Sequence, residues 1–213
     1  TRRSIAEPGA EPATPSNVLL WFALPACASA MLLATTNELT QSIAAIPLLW
    51  VVPLSLYLLT FILCFRHDQA YRPQRDVVLL AAALVAGAYA VNSSALEALW
   101  LTLLCGTALF VSCFALHGEL ARRRPPTRHL PLFFLVVLVG VAAGGVFVVA
   151  VASVIFSDFW EYRLLLTLTP ILVLAARTVE VRRLRIEAST CFDRRAASMA
   201  VGWIAATGGI ALL

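Results

Sequence analysis

LPLFFLVVLVGVAAGGVFVVAVASVIF, residues 130–156, contains no charged side chain. An α-helix rises 1.5 Å per residue and bilayer hydrocarbon is about 30 Å thick, so a stretch of this length crosses a membrane in one pass. Comparable apolar runs flank it on both sides. Residues 17–36, 43–65, 77–92 and 95–117 precede it, and 162–177 and 196–213 follow. The runs at 77–92 and 162–177 are short for a span, which predicts extension into their polar flanks or a tilted, partly re-entrant path. Together they predict an all-α fold, a polytopic transmembrane helical bundle of about seven spans. Residues 1–16, TRRSIAEPGAEPATPS, are polar and proline-bearing and are expected to form a surface arm.

Composition points the same way. Of 213 residues, 61% are hydrophobic and 13% charged, against about 25% charged in an ordinary soluble domain. A water-soluble protein of this size has too much surface to hide so many apolar side chains. The solvent that fits is lipid.

The basic residues fix an expected orientation. All of them are arginine, and all but Arg163 fall in the N-terminal arm and alternate connections: Arg2 and Arg3; Arg66, Arg72 and Arg75; Arg122, Arg123, Arg124 and Arg128; Arg177, Arg182, Arg183, Arg185, Arg194 and Arg195. Positive residues are retained in the cytoplasm, so the N-terminus is expected inside. A net charge of +4 spread between apolar segments suits lipid phosphates, and nucleic acid is not an expected partner. The segment 178–195 is read as a basic amphipathic piece on the inner leaflet, with Arg182, Arg183 and Arg185 contacting lipid or a partner. Arg2 and Arg3 before an apolar run, with Ala28-Ser29-Ala30 beyond, resemble a signal peptide; the run is read as the first span. Trp160 and Tyr162 in SDFWEYR are expected at the outer headgroup level.

Residues that could carry chemistry are few. Glu38 lies in TTNELTQS, the most polar short stretch on the outer side, and with Glu97 marks a possible polar outer site for a small ligand or cation. The competing expectation is that this stretch caps two helix ends, and that Ser94-Ala95-Leu96-Glu97 is a capping box. Pro47 and Pro53 are expected to kink the second span. Gly140 and Gly144, four apart, with Gly145 beside them, form a small-residue face suited to close helix packing. His67, His117 and His129 fall near arginines at the cytoplasmic ends of spans, and His117 and Glu119 point apart on a helix. The five cysteines make no CxxC pair and behave as small hydrophobes. No catalytic triad, phosphate loop or metal-ligand cluster can be assembled, so no enzyme activity, metal or cofactor is expected.

Two stretches carry a likeness. SIAAIPLLWVVPLSLYLLTFILCF (42–65) and LHGELARRRPPTRHLPLFFL (116–135) resemble the membrane half of bacterial fused spermidine-synthase-like integral membrane proteins. GGVF (144–147) and EYRLLL (161–166) continue the resemblance, which covers about 17–170. Val148 and Ala152-Ser153 stand where family members usually carry Asn and Ala-Pro, and these residues include no glycine-rich synthase domain. The resemblance implies a fold and a lineage and very little chemistry. The function expected is therefore a non-enzymatic accessory or scaffold subunit, packed with other integral membrane subunits into a larger complex such as a respiratory or photosynthetic assembly. The alternatives are a transporter-like module for a polyamine or other cation, and the membrane half of a split spermidine-synthase-like enzyme.

Overall fold

The computed structural model describes residues 15–42, 49–66, 71–92, 97–152 and 161–181. Within them all regular structure is helical: α1 (Pro15–Ser42), α2 (Val51–Arg66), α3 (Pro73–Asn92), α4 (Ala98–Arg122), α5 (Leu130–Val146) and α6 (Glu161–Val181). A 3₁₀ turn, Thr127–His129, leads into α5, and a π-helical turn, Phe147–Ala152, continues it. Four of these helical stretches are long and apolar enough to cross a membrane: Pro15–Gln41, Ala98–Arg122, Thr127–Ala150 and Glu161–Val181. The chain is thus a helical membrane protein. The expected seventh span, 196–213, and the basic segment with Arg182, Arg183 and Arg185 lie outside the described residues. The chain divides into two compact units, Thr1–Leu174 and Ala175–Leu213, and the packing below is that of the first.

Several expected boundaries are corrected. The first helix does not stop at residue 36 but continues to Ser42. Its polar end stays helical because the hydroxyls bond the helix itself: Thr35 Oγ1 donates to the Met31 carbonyl at 2.7 Å, Thr36 to Leu32 at 2.8 Å and Thr40 to Thr36 at 2.7 Å. TTNELTQS is the last two turns of α1 rather than a connection. The second helix begins at Val51, so Pro53 sits in its first turn, where its missing N–H has no helical partner to lose. Pro53 thus stands at the start of α2 rather than inside it, and Pro47 lies outside the described residues. The fourth helix runs past His117 to Arg122.

α4 is the centre of the bundle, packed against α1, α2 and α3. Its last turns are enclosed on every side: Leu116, His117, Gly118, Glu119 and Leu120 are all buried. α5 packs on α1 instead. Its buried residues Phe133, Val137, Gly140 and Gly144 form one stripe, while Leu135, Leu138, Val139 and Val146 are exposed. A helix apolar on its outward face as well as its inward one is matched to lipid.

The α1–α5 contact is a backbone contact. A Cβ at Gly140 would collide with the Phe22 carbonyl oxygen, and one at Gly144 with that of Ala26. A Cβ at Gly145 would meet the Leu33 and Ser29 side chains at an ordinary 3.7 and 4.0 Å.

Side-chain contacts show which helix ends meet. Trp21 stacks edge-on against Phe133 at 5.3 Å, Phe65 lies 6.4 Å from Phe133, and Tyr71 bonds Glu119. The start of α1, the end of α2, the residues before α3, the end of α4 and the start of α5 therefore share one end of the bundle. Arg66, Arg72, Arg122, Arg123, Arg124 and Arg128 all belong to that end.

Candidate functional site

The densest polar constellation in the bundle is built on Leu116-His117-Gly118-Glu119-Leu120, near the end of α4. Glu119 is fully buried, and both of its carboxylate oxygens are engaged. Tyr71 donates its hydroxyl to Oε1 at 2.9 Å, and Arg123 donates Nη1 to Oε2 at 2.6 Å. Arg123, one helical turn on and only 2% exposed, also reaches the Glu119 carbonyl at 2.6 Å. Its own carbonyl accepts the indole N–H of the buried Trp21 at 3.0 Å. Four parts of the chain are joined this way: α1, the residues before α3, α4 and the α4–α5 connection. Gly118 makes the geometry possible, because a Cβ there would overlap the Tyr71 ring.

Burial makes this cluster consequential. A desolvated carboxylate and guanidinium repay their lost hydration only when paired at good geometry with their remaining hydrogen-bonding groups satisfied. Glu119 and Arg123 are therefore held by the fold and hold it in turn. Nearby, the Arg72 backbone N–H donates to Oδ2 of the buried Asp76 at 2.6 Å, placing an acid in the first turn of α3 where the helix dipole favours it.

His117 faces α2. Its Nδ1 lies 3.0 Å from Thr60 Oγ1, and the same hydroxyl lies 2.7 Å from the Tyr57 carbonyl. The hydroxyl has one proton, and the carbonyl can only accept it, so the assigned arrangement has the Thr60 oxygen accepting from His117 Nδ1–H. Nε2 is then the bare nitrogen, buried with no hydrogen-bond partner among the described residues. Tyr57 and Phe61 pack edge-on against the imidazole at 4.9 and 5.3 Å.

A second group forms toward the other end of the helices. Glu38 is half-buried near the end of α1, and Cys105 of α4 and Tyr162 of α6 are fully buried. Tyr162 was expected at the headgroup level beside Trp160, which lies outside the described residues. It is instead fully buried. Room for it comes from Gly87 of α3, where a Cβ would sit 3.0 Å from the Tyr162 hydroxyl and 2.8 Å from Ala108 Cβ.

The two acids assigned to one polar outer site are placed differently. Glu97 is exposed as the N-cap of α4, makes no side-chain capping bond, and gives its carbonyl to Leu101 N–H at 3.1 Å. The expected capping box is corrected accordingly, since Glu97 precedes the helix rather than occupying its third position. Glu38 is half-buried within the last two turns of α1. Among the described residues, no group of three or more His, Cys, Asp or Glu side chains is arranged to hold a metal ion. The grooves between helices are apolar, one of about 370 Å³ between α1, α5 and α6 and one of about 480 Å³ between α1 and α5.

The residues that inspection of the sequence missed are Trp21, Tyr71, Glu119 and Arg123. One local signal was available: Glu119 and Arg123 are four apart, which brings them together if the helix continues. Comparison with protein-family models, with curated proteins and with solved structures finds no match to this chain.

Proposed function

We propose that this chain is a non-catalytic subunit that scaffolds a larger assembly in the bacterial cytoplasmic membrane, crossing it about seven times with the arginine-bearing end inside. Its partners are membrane lipids and other integral membrane subunits, in an assembly of the respiratory or photosynthetic kind. The supporting observation is what the buried polar groups do. Thr60 to His117, Tyr71 to Glu119 and Trp21 to the Arg123 carbonyl each join one part of the bundle to another, so these buried polar groups fix helices to one another, and two grooves among the described helices are lined by apolar side chains. The likeness of residues 17–170 to the membrane half of spermidine-synthase-like proteins supports a lineage of membrane bundles without synthase chemistry. The test is purification from native membranes in mild detergent. The chain is expected to co-migrate with a complex several times its own 23.0 kDa; migration as a lone chain contradicts the proposal.

One observation favours a second function, a cation-transporting module. Glu38 is a half-buried acid on a membrane-spanning helix. Under that alternative Glu38→Gln abolishes uptake of a polyamine such as spermidine into vesicles holding the protein. Under the scaffold proposal no protein-dependent uptake exists to abolish.

A further inference from the structure

The groove between α1 and α5 opens sideways. Val18, Leu19 and Phe22 form one wall and Leu135, Val136 and Val139 the other, with Pro15, the first residue of α1, at its mouth. Leu19 is 65% and Leu135 58% exposed, so the groove is open to whatever surrounds the bundle. From Pro15 to Phe22 it follows the helix for about 10 Å, the length of the upper part of a lipid acyl chain.

Its mouth lies at the arginine-bearing end. The α4–α5 connection is tied over α1 by the bond from Trp21 Nε1 to the Arg123 carbonyl, and the turn holding Arg128 runs directly into α5. Arg124 and Arg128 are exposed on that connection. Among the described residues of the first unit, the acids at this end are Asp76 and Glu119, and both are buried and bonded internally. They do not neutralise the exposed guanidinium groups.

We propose that this groove is a binding site for one anionic phospholipid, its phosphate headgroup against Arg124 and Arg128 and one acyl chain between α1 and α5. Charge complementarity selects the occupant. A neutral helix would fill the groove equally well but brings no anion to the guanidinium groups, and a zwitterionic lipid brings a phosphate whose charge its own ammonium offsets, whereas basic residues beside a membrane-spanning helix attract headgroups of net negative charge. The inference needs only the membrane bundle, and it stands whether or not the chain belongs to a larger assembly.

The test uses the full chain, delipidated in mild detergent and titrated with phosphatidylglycerol or phosphatidylcholine of identical acyl chains, with bound lipid counted by native mass spectrometry. One phosphatidylglycerol is expected to bind about tenfold more tightly than phosphatidylcholine. Joint substitution R124Q with R128Q is expected to erase that preference. Val139→Trp fills the groove at an exposed position and is expected to weaken both lipids, with thermal unfolding unchanged; Leu135→Trp serves if that variant does not fold. Glycerol phosphate, the headgroup without chains, is expected not to compete. The proposal is overturned by equal binding of the two lipids, by a loss from R66Q with R72Q as large as that from R124Q with R128Q, or by full competition from glycerol phosphate.

Discussion

At the scale of single residues the chain is organised around Glu119. Its two oxygens are taken by Tyr71 and Arg123, and Arg123 in turn receives Trp21 on its carbonyl. Glu119→Gln leaves a buried guanidinium without a counter-charge, which costs about 3–5 kcal/mol. Thermal unfolding in detergent is expected to shift down by several degrees. Replacing the pair together, Glu119→Leu with Arg123→Met, is expected to cost less, because the desolvation of both charges is removed with the attraction. Equal stability of Glu119→Gln and the wild type would contradict the assignment. Glu119 was hard to pick out because its burial is not a local property. LHGELARRR reads as the start of a charged connection until α1, α2 and α3 are seen to surround it, and Arg123 looks like its neighbours Arg122 and Arg124 although it alone of the three is buried.

At the scale of elements, the α1–α5 pair gives the sharpest contrast between adjacent positions. Gly144→Ala puts a methyl group into the Ala26 carbonyl, backbone against backbone, and forces the helices apart. Gly145→Ala meets only the Leu33 and Ser29 side chains, at ordinary contact distances, and the change raises helix propensity by about 1 kcal/mol. Gly144→Ala is expected to lower the unfolding temperature and Gly145→Ala to leave it unchanged or raise it. A small-residue face was legible from the four-residue spacing of Gly140 and Gly144; which helix it meets was not, because any apolar helix in the chain could have faced it. Helix ends were the least legible feature. Hydropathy ends a span at the first polar side chains, yet threonine hydroxyls in α1 bond their own backbone and the polar end of α4 is satisfied by its neighbours. Both helices run about a turn or more beyond the apolar run.

At the scale of the whole molecule, the apolar runs and the alternation of arginines were the strongest signals in the sequence, and they share a physical origin. A helix in lipid must satisfy its backbone internally and keep charge at its ends. In the bundle, the ends of α1, α2, α4 and α5 that carry or adjoin arginines lie together, while Leu138, Val139, Val146, Leu168 and Ile171 are exposed along the helices between the ends. The orientation proposed above puts the arginine-bearing end in the cytoplasm. The decisive measurement is labelling of an Arg128→Cys variant, with Cys191 replaced by Ser, by a membrane-impermeant maleimide; Cys27, Cys64, Cys105 and Cys113 are buried. Label is expected in inside-out vesicles and not in intact cells, whereas labelling from outside intact cells would contradict the orientation proposed for the bundle.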